Sequence, residues 1–479
     1  MALSVSALRR PRLLSLAAAC TVAATVCGVA TAPGSVAAAP VGTPGAPGAG
    51  DTYFPNLGNG GYDALHYDLG VSYHASSGRL DGRTTLTARA TQNLSAFDLD
   101  LQKLDVAAVR VDGRPARFTR SGDELTVRPA RMLRDGRTFQ VTVTYSGVPQ
   151  PLGGPIIFGS DYGWMKTKDG VFVACEPNAA STWFPSSDHP GDKATYDIRI
   201  DAPKGLTGVS NGRLIDSGER GGRSYAHWRE SRPMATYLAT ATIGKFDVRT
   251  GTTPGGTPIY VATDPTLPAG KVDVYGVTAE ATDYWSKVFG PYPFEETGAI
   301  VDDMPQAGFS LEVQSKPAYS AVRNESTIVH ELAHQWFGDS VSVKDWQHIW
   351  LNEGFASYAQ WLWDEHKGTK SAHDAFREAY AAAPADDPFW KIKVADPQRD
   401  TMFSHAVYDR GAMTLQALRE RIGDTAFFTL LPAWTAAHRY GNAETSQFIA
   451  LAEKISGQRL GDLFDAWLNT GSRPPLPKS

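Results

Sequence analysis

Cysteine is scarce: the 479-residue chain has three, which excludes a disulfide-built scaffold. An excess of charge of one sign is also missing. Lys and Arg number 46 against 51 Asp and Glu, a net of −5, and no long basic tract recommends nucleic acid or an anionic membrane as partner. Its 46 Gly and 31 Pro follow no period, so collagen-like repetition is excluded, and no internal repeat of any other length is found. What remains is 42% hydrophobic and 20% charged, the composition of an ordinary globular protein of two to four domains that can bury sizeable cores without covalent help.

The first 38 residues read as a secretory signal. Arg9, Arg10 and Arg12 precede an uncharged stretch from Leu13 to about Ala32, and small residues such as Val36-Ala37-Ala38 follow. The stretch is long enough for a membrane anchor, but its Ala, Thr and Gly content makes it weakly apolar for a permanent span, so no stable membrane partner is expected and the protein is expected to be secreted. Removing the signal leaves 43 basic against 51 acidic groups, a net of −8, with Cys175 as the only thiol. A single thiol makes no intrachain disulfide, and Cys175 is read as a small buried apolar residue. Residues 39–51, rich in Pro, Gly and Ala without apolar periodicity, are expected to be a flexible leader.

Two periods divide the rest. Between residues 52 and 246 apolar residues alternate, as in Leu86/Ala88, Phe97/Leu99/Leu101, Val109/Val111, Phe139/Val141/Val143 and Tyr196/Ile198/Ile200. Turn signals such as Asp112-Gly113 and Asn211-Gly212 separate these runs, predicting an antiparallel β-sandwich or saddle. Over 247–479 the spacing lengthens: Val274, Val277, Ala281, Trp285 and Val288 line one helical face, and further helices are predicted near 326–337, 353–366, 411–422, 445–455 and 460–468. The fold class is thus α+β, with a β-rich half followed by a mainly helical one.

The strongest chemical signal is His330-Glu331-Leu332-Ala333-His334, set in an apolar run with helical spacing. Two histidines four apart share a helix face, so both imidazoles can reach one Zn²⁺, and Glu331 beside them can take a proton from water. Such a pattern arises by chance in roughly one chain of this length in a hundred. A catalytic zinc needs a third protein ligand, and Glu353, 19 residues after His334 in Asn352-Glu353-Gly354-Phe355-Ala356, fits. Asn324 and Ser326 are candidate caps of the first helix, and Gly338 its stop. Trp361 and Trp363 are expected to be packed, and His348, His405 and His438 lack ligand spacing.

Through residues 330–339 (HELAHQWFGD) and 350–356 (WLNEGFA) the chain resembles the M1 family of zinc aminopeptidases. Cys175-Glu176-Pro177 with Trp183-Phe184-Pro185, Asp188, Pro190 and Lys193-Ala194 is similar to the family segment joining the β-domain to the cleft, and Tyr408-Asp409-Arg410-Gly411-Ala412 to its tyrosine motif. The resemblance implies an N-terminal β-saddle over 52–246, a thermolysin-like catalytic domain over 247–479, and a short form without the large C-terminal helical domain of longer relatives. It implies one Zn²⁺ held by His330, His334 and Glu353, with Glu331 as general base and Tyr408 stabilising the oxyanion. It further implies Glu176 and Glu312 as anchors for the α-ammonium of peptide substrates with a free N-terminus. Phe309-Ser310-Leu311-Glu312-Val313 departs from the family pattern Gly-x-Met-Glu-Asn, and Ser186 stands where many relatives have cysteine. The expected function is aminopeptidase. The alternatives are a zinc endopeptidase with an open cleft and a noncatalytic peptide-binding protein.

Overall fold

The alternating residues of the N-terminal half build a sheet because one face of each strand must leave water. In the computed structural model, which describes residues 41–157, 159–268 and 272–477, that sheet has eight strands. Their order is Arg213–Arg220, Arg223–Ala235, Lys193–Pro203, Tyr62–His74, Arg79–Ala90, Thr138–Gly147, Asp105–Val111 and Arg114–Pro115. Pairing is antiparallel throughout, except that Lys193–Pro203 runs parallel to Tyr62–His74 in register Thr195 to His66. Val109, Val141, Val143, Ile198 and Ile200 are all buried on the inner face. Asp112 and Gly113, both at positive φ (49° and 74°), make the tight turn that the dipeptide predicts.

Phe97, Leu99 and Leu101 are buried as the alternation requires, yet only Leu94–Ala96 is a strand. Beyond it the chain makes isolated bridges, Phe97 to Val127 and Asp100 to Glu124 and to Ser186. A four-stranded sheet, in the order Gly163–Lys166, Val171–Ala174, Ala241–Gly244 and Thr207–Ser210, stands beside the large one. Asn211-Gly212 therefore does not close a hairpin: it carries the chain from the small sheet into the large one.

The signal-like residues 1–38 lie outside the described residues. The expectation of a flexible leader over 39–51 fails for its described residues from Thr43 onward. Thr43–Pro44 pairs with Leu94–Ala96, Thr43 donates to the Asn93 carbonyl at 2.8 Å, Gly45 to Ala96 at 2.9 Å, and Gly60 returns a bond to Ala46 at 2.9 Å. Asp51 ends this strap with a fully covered carboxylate. Its Oδ1 accepts from the amides of Tyr53 and Phe54, and its Oδ2 from the Trp346 amide at 2.9 Å, with His189 Nε2 at 3.3 Å.

The C-terminal half contains a five-stranded sheet in the order Asp247–Thr252, Pro258–Thr263, Thr297–Val301, Ala318–Tyr319 and Ser310–Leu311. Pro258–Thr263 and Thr297–Val301 are parallel, a pairing that needs a crossover, and helix α1 (Val274–Val288) supplies it. The helices that follow are α2 (Glu325–Ala333), α3 (Trp350–Lys367), α4 (Ala372–Ala382), α5 (Gly411–Ile422), α6 (Asp424–Ala437) and α7 (Thr445–Ser456). Helix α2 starts on Asn324, whose side chain accepts from the Thr327 amide at 2.8 Å, and ends at Ala333, before the expected stop at Gly338. Helix α3 begins at Trp350, three residues before Glu353, and closes on Gly368 in the left-handed conformation. No helix among the described residues is long and apolar enough to cross a membrane.

Candidate active site

Helix α2 presents His330 and His334 on one face because they are a turn apart, and its apolar residues Ile328, Val329, Leu332 and Ala333 are themselves completely buried. Helix α3 lies against α2 and brings Glu353, from its first turn, to the two imidazoles. His330 Nε2 and His334 Nε2 are 3.2 Å apart, and Glu353 Oε2 is 3.3 Å from the first and 3.4 Å from the second. Three donors each about 2.0 to 2.1 Å from a tetrahedral ion stand about 3.3 Å from one another. The triangle therefore has the dimensions of three ligands around a tetrahedral zinc.

The ligand atoms are also free for a metal. The Phe337 carbonyl lies 2.9 Å from His334 Nδ1, so that nitrogen carries the proton and Nε2 offers its lone pair, the orienting contact that metal-bound histidines require. Glu353 Oε2 is buried without a hydrogen-bond partner among the described residues. Burial by itself would raise the Glu353 carboxyl, but the two imidazoles beside it bring it down to about 2.

Close contact between two glycines sets the approach of the third element. A methyl group on Gly354 would meet Gly411 Cα at 2.9 Å, and one on Gly411 would meet Gly354 Cα at 2.7 Å. Helices α3 and α5 thus touch backbone to backbone one residue after Glu353. The π-helical turn Ala406–Arg410 leads into α5 and puts the Tyr408 ring parallel to that of His330, with centroids 6.1 Å apart. Arg410 holds this turn from below. Its guanidinium is fully buried and donates to the carbonyls of Trp390, Ile392, Ala466, Thr470 and Ser472. Burial pushes the Arg410 pKa down to about 10. Burial, and then the nearby Glu353, Glu176, Glu312 and Glu331, raise the Tyr408 phenol well above its ordinary value, so its proton stays in place as a donor.

Three further carboxylates converge. Glu331, 7% exposed, is raised to about 7 by burial against the opposing pull of His330 and His334. Glu312 follows the edge strand Ser310–Leu311, and one ligand atom from each of Glu312, Glu331 and His334 lies within 4.8 Å of the others. Glu176 comes from the N-terminal half, two residues after the strand Val171–Ala174. Both Glu176 and Glu312 are buried, at 8% and 2% exposure, and each has an oxygen without a hydrogen-bond partner among the described residues. Burial raises both, Glu176 well above its ordinary value with the Glu312 charge adding to the effect, and Glu312 to about 7. Acids so placed are complementary to a cation.

The structure thus gathers all seven residues picked out from the sequence into one region. Several others at the site were not foreseen. Tyr237, buried at 1% exposure, has its phenol raised by burial and then by Glu312 and Glu176. Gln335, directly after His334, bonds the Glu312 main chain. Lys193, quoted only as part of a motif, donates to the carbonyls of Asp339, Ser340 and Gly441, and burial pushes its ammonium down to about 7. A Gln between His334 and the apolar pair Trp336-Phe337 was the visible signal for Gln335. Tyr237 carried none. Cys175 is buried and has no disulfide partner among the described residues, and Phe309 and Val313 occupy the departures noted above, Val313 fully buried.

Comparison with known proteins agrees with this geometry. Residues 63–238 match the model of the Peptidase M1 N-terminal domain and residues 305–467 that of the Peptidase family M1 domain. Aminopeptidase M1-B of Oryza sativa subsp. japonica is 28% identical over 319 residues, covering 61% of this chain and 36% of that protein. Probable aminopeptidase 2 of Sulfurisphaera tokodaii is 26% identical over 406 residues, covering 78% and 50%. The chain therefore spans half or less of the length of these curated relatives. The M1 zinc metallopeptidase of Deinococcus radiodurans superposes with a TM-score of 0.82 at 29% identity, over 90% of this chain and 99% of the other. A point mutant of it bound to a Tyr-Ser-Ala substrate gives 0.83 at 30% identity, with the same coverage. With both family segments matched and the superposition extending over nearly the whole of a solved member, the chain belongs to peptidase family M1, the family of these zinc metallopeptidases.

Proposed function

We propose that the protein is a zinc aminopeptidase that removes N-terminal residues from peptides. The observation that carries this is the buried pair Glu176 and Glu312, each with an unpartnered oxygen, beside the His330, His334 and Glu353 triangle. A substrate α-ammonium in that acidic recess would sit one residue from the scissile carbonyl, which fixes cleavage at the first bond. Peptide as substrate is supported by the tripeptide bound to the Deinococcus radiodurans mutant.

His330, His334 and Glu353 would hold the zinc, which when bound supplies Lewis acidity toward the carbonyl and a more acidic water. Glu331 takes a proton from the attacking water as the new C–O bond forms, and passes it to the amine nitrogen, whose C–N bond then breaks as the oxyanion collapses. Tyr408 donates its phenolic hydrogen to the oxyanion that develops. Glu176 and Glu312 hold the ammonium throughout. The reading also takes the enzyme as exported, supported by the signal-like residues 1–38.

The test is a profile of aminoacyl chromogenic substrates on zinc-loaded protein, each with its N-acetylated twin, with and without chelator. The free-amine substrates are expected to turn over, the blocked ones to be rejected, and chelation to abolish the rate. Equal turnover of free and blocked substrates would replace this reading with an endopeptidase.

A further inference from the structure

Residues 312–316 form a loop between the strands Ser310–Leu311 and Ala318–Tyr319, and it is held in an unusual way. Ser315 sits at φ 70°, a left-handed conformation that costs a non-glycine residue about 1 kcal/mol and persists only where its surroundings enforce it. Here they do so from two sides. Gly212 donates its amide to Ser315 Oγ at 2.7 Å, and Asn211 Nδ2 donates to the Gln314 carbonyl at 2.9 Å, both from the N-terminal half. From the other side comes Gln335, which is fully buried. Its Oε1 accepts from the Ser315 amide at 2.7 Å, and its Nε2 donates to the Glu312 carbonyl at 3.1 Å.

One amide thus clamps both ends of the segment that carries Glu312, and it belongs to the residue next to His334. We infer that Gln335 is a positioning residue that sets the distance between the ammonium anchor at Glu312 and the metal ligand His334, and so holds cleavage at the first peptide bond. This rests on the aminopeptidase reading. Gln335 touches no reacting atom. It acts through Glu312, whose main chain it fixes to the end of α2, while Asn211 and Gly212 keep the far side of the loop from yielding. Without the clamp the carboxylate would still be present but would no longer be held in register with the metal, and misplacement of an anchor on the scale of an ångström can cost a hundredfold in rate.

The decisive variant is Gln335→Met, which keeps the volume and removes both bonds. Gln335→Glu is its companion: it can still accept from Ser315 but sets an oxygen against the Glu312 carbonyl. Zinc content, kcat and KM are measured for a free-amine peptide and its N-acetylated twin, and products are read by mass spectrometry. Both variants are expected to retain one zinc per chain. Gln335→Met raises KM for the free-amine peptide by about tenfold, leaves the slow cleavage of the blocked peptide unchanged, and releases dipeptides as well as single residues. Gln335→Glu shows the same loss of preference. Unchanged preference in either folded variant, or equal loss on both peptides, would overturn the positioning role alone. A wild type that does not distinguish the two peptides would overturn it together with the aminopeptidase reading.

Discussion

Glu331 and Tyr408 differ in what each can lose without disturbing the rest. Replacing the Glu331 carboxylate by an amide keeps the shape of a 7%-exposed side chain and removes its capacity to carry a proton. Glu331→Gln is expected to bind zinc as well as the wild type and to lose about a thousandfold in kcat, with metal content and single-turnover rate as the checks. Tyr408→Phe removes one donor and nothing from the zinc triangle. Its kcat is expected to fall about a hundredfold or more with KM little changed, since the oxyanion exists only in the transition state. A comparable rise in KM would move Tyr408 into substrate binding. Both residues could be picked out from the sequence, for different reasons. Glu331 sits in a local spacing whose chemistry follows from helix geometry alone. Tyr408 enters through family resemblance, because its ring reaches His330 across 78 positions of chain by way of a π-helical turn that leaves no periodic mark.

Among the elements, the crossing of α3 and α5 governs the site most directly. Glu353 and Tyr408 flank the glycine contact, Glu353 directly before Gly354 and Tyr408 three residues before Gly411, so any separation of the helices moves both side chains together. Gly411→Ala would place a methyl 2.7 Å from Gly354 Cα, a clash between backbones that no rotamer relieves. The expected cost is about 2 kcal/mol, from overpacking partly offset by better helix propensity, visible as a lower Tm and a lower kcat. An unchanged Tm would mean that the crossing tolerates a wider spacing. The helices themselves were legible, because apolar residues at spacings of three and four mark them; α2, α3, α5 and α7 all fall where predicted to within a few residues. Helices α4 and α6 were not singled out. The loop over 312–316 was illegible for a better reason: its partners Gln335, Asn211 and Gly212 lie about twenty and a hundred positions away, and such contacts leave no local pattern.

For the molecule as a whole, the strap before residue 60 matters beyond its length. Its composition reads as a leader because backbone hydrogen bonds, which need no apolar period, do the docking. Asp51 then joins the strap to the Trp346 amide. Burial would raise the Asp51 carboxyl, but His189 and the amides of Trp346, Phe54 and Tyr53 more than compensate and hold it below its ordinary value. A carboxylate lowered on folding adds stability that is present above the ordinary carboxyl range and is lost as pH falls through the folded value. Asp51→Asn is therefore expected to destabilise the protein by about 2 kcal/mol at neutral pH. The difference should narrow below about pH 4, where the wild type loses the same charge. Thermal unfolding across that range tests it, and a gap that stays constant to acid pH would remove the charge from the explanation.

Lys193 gives the joint between the halves another meaning. Its ammonium leaves the first residue of a saddle strand and caps three carbonyls, two of them at Asp339 and Ser340, just past the zinc helix. Glu176, Asn211 and Tyr237 reach the site from the same half. The recess is therefore a composite that neither stretch of chain encloses alone. A recombinant that exchanged one half for a distant homologue's would have to supply a matching cap, anchor and loop clamp at once.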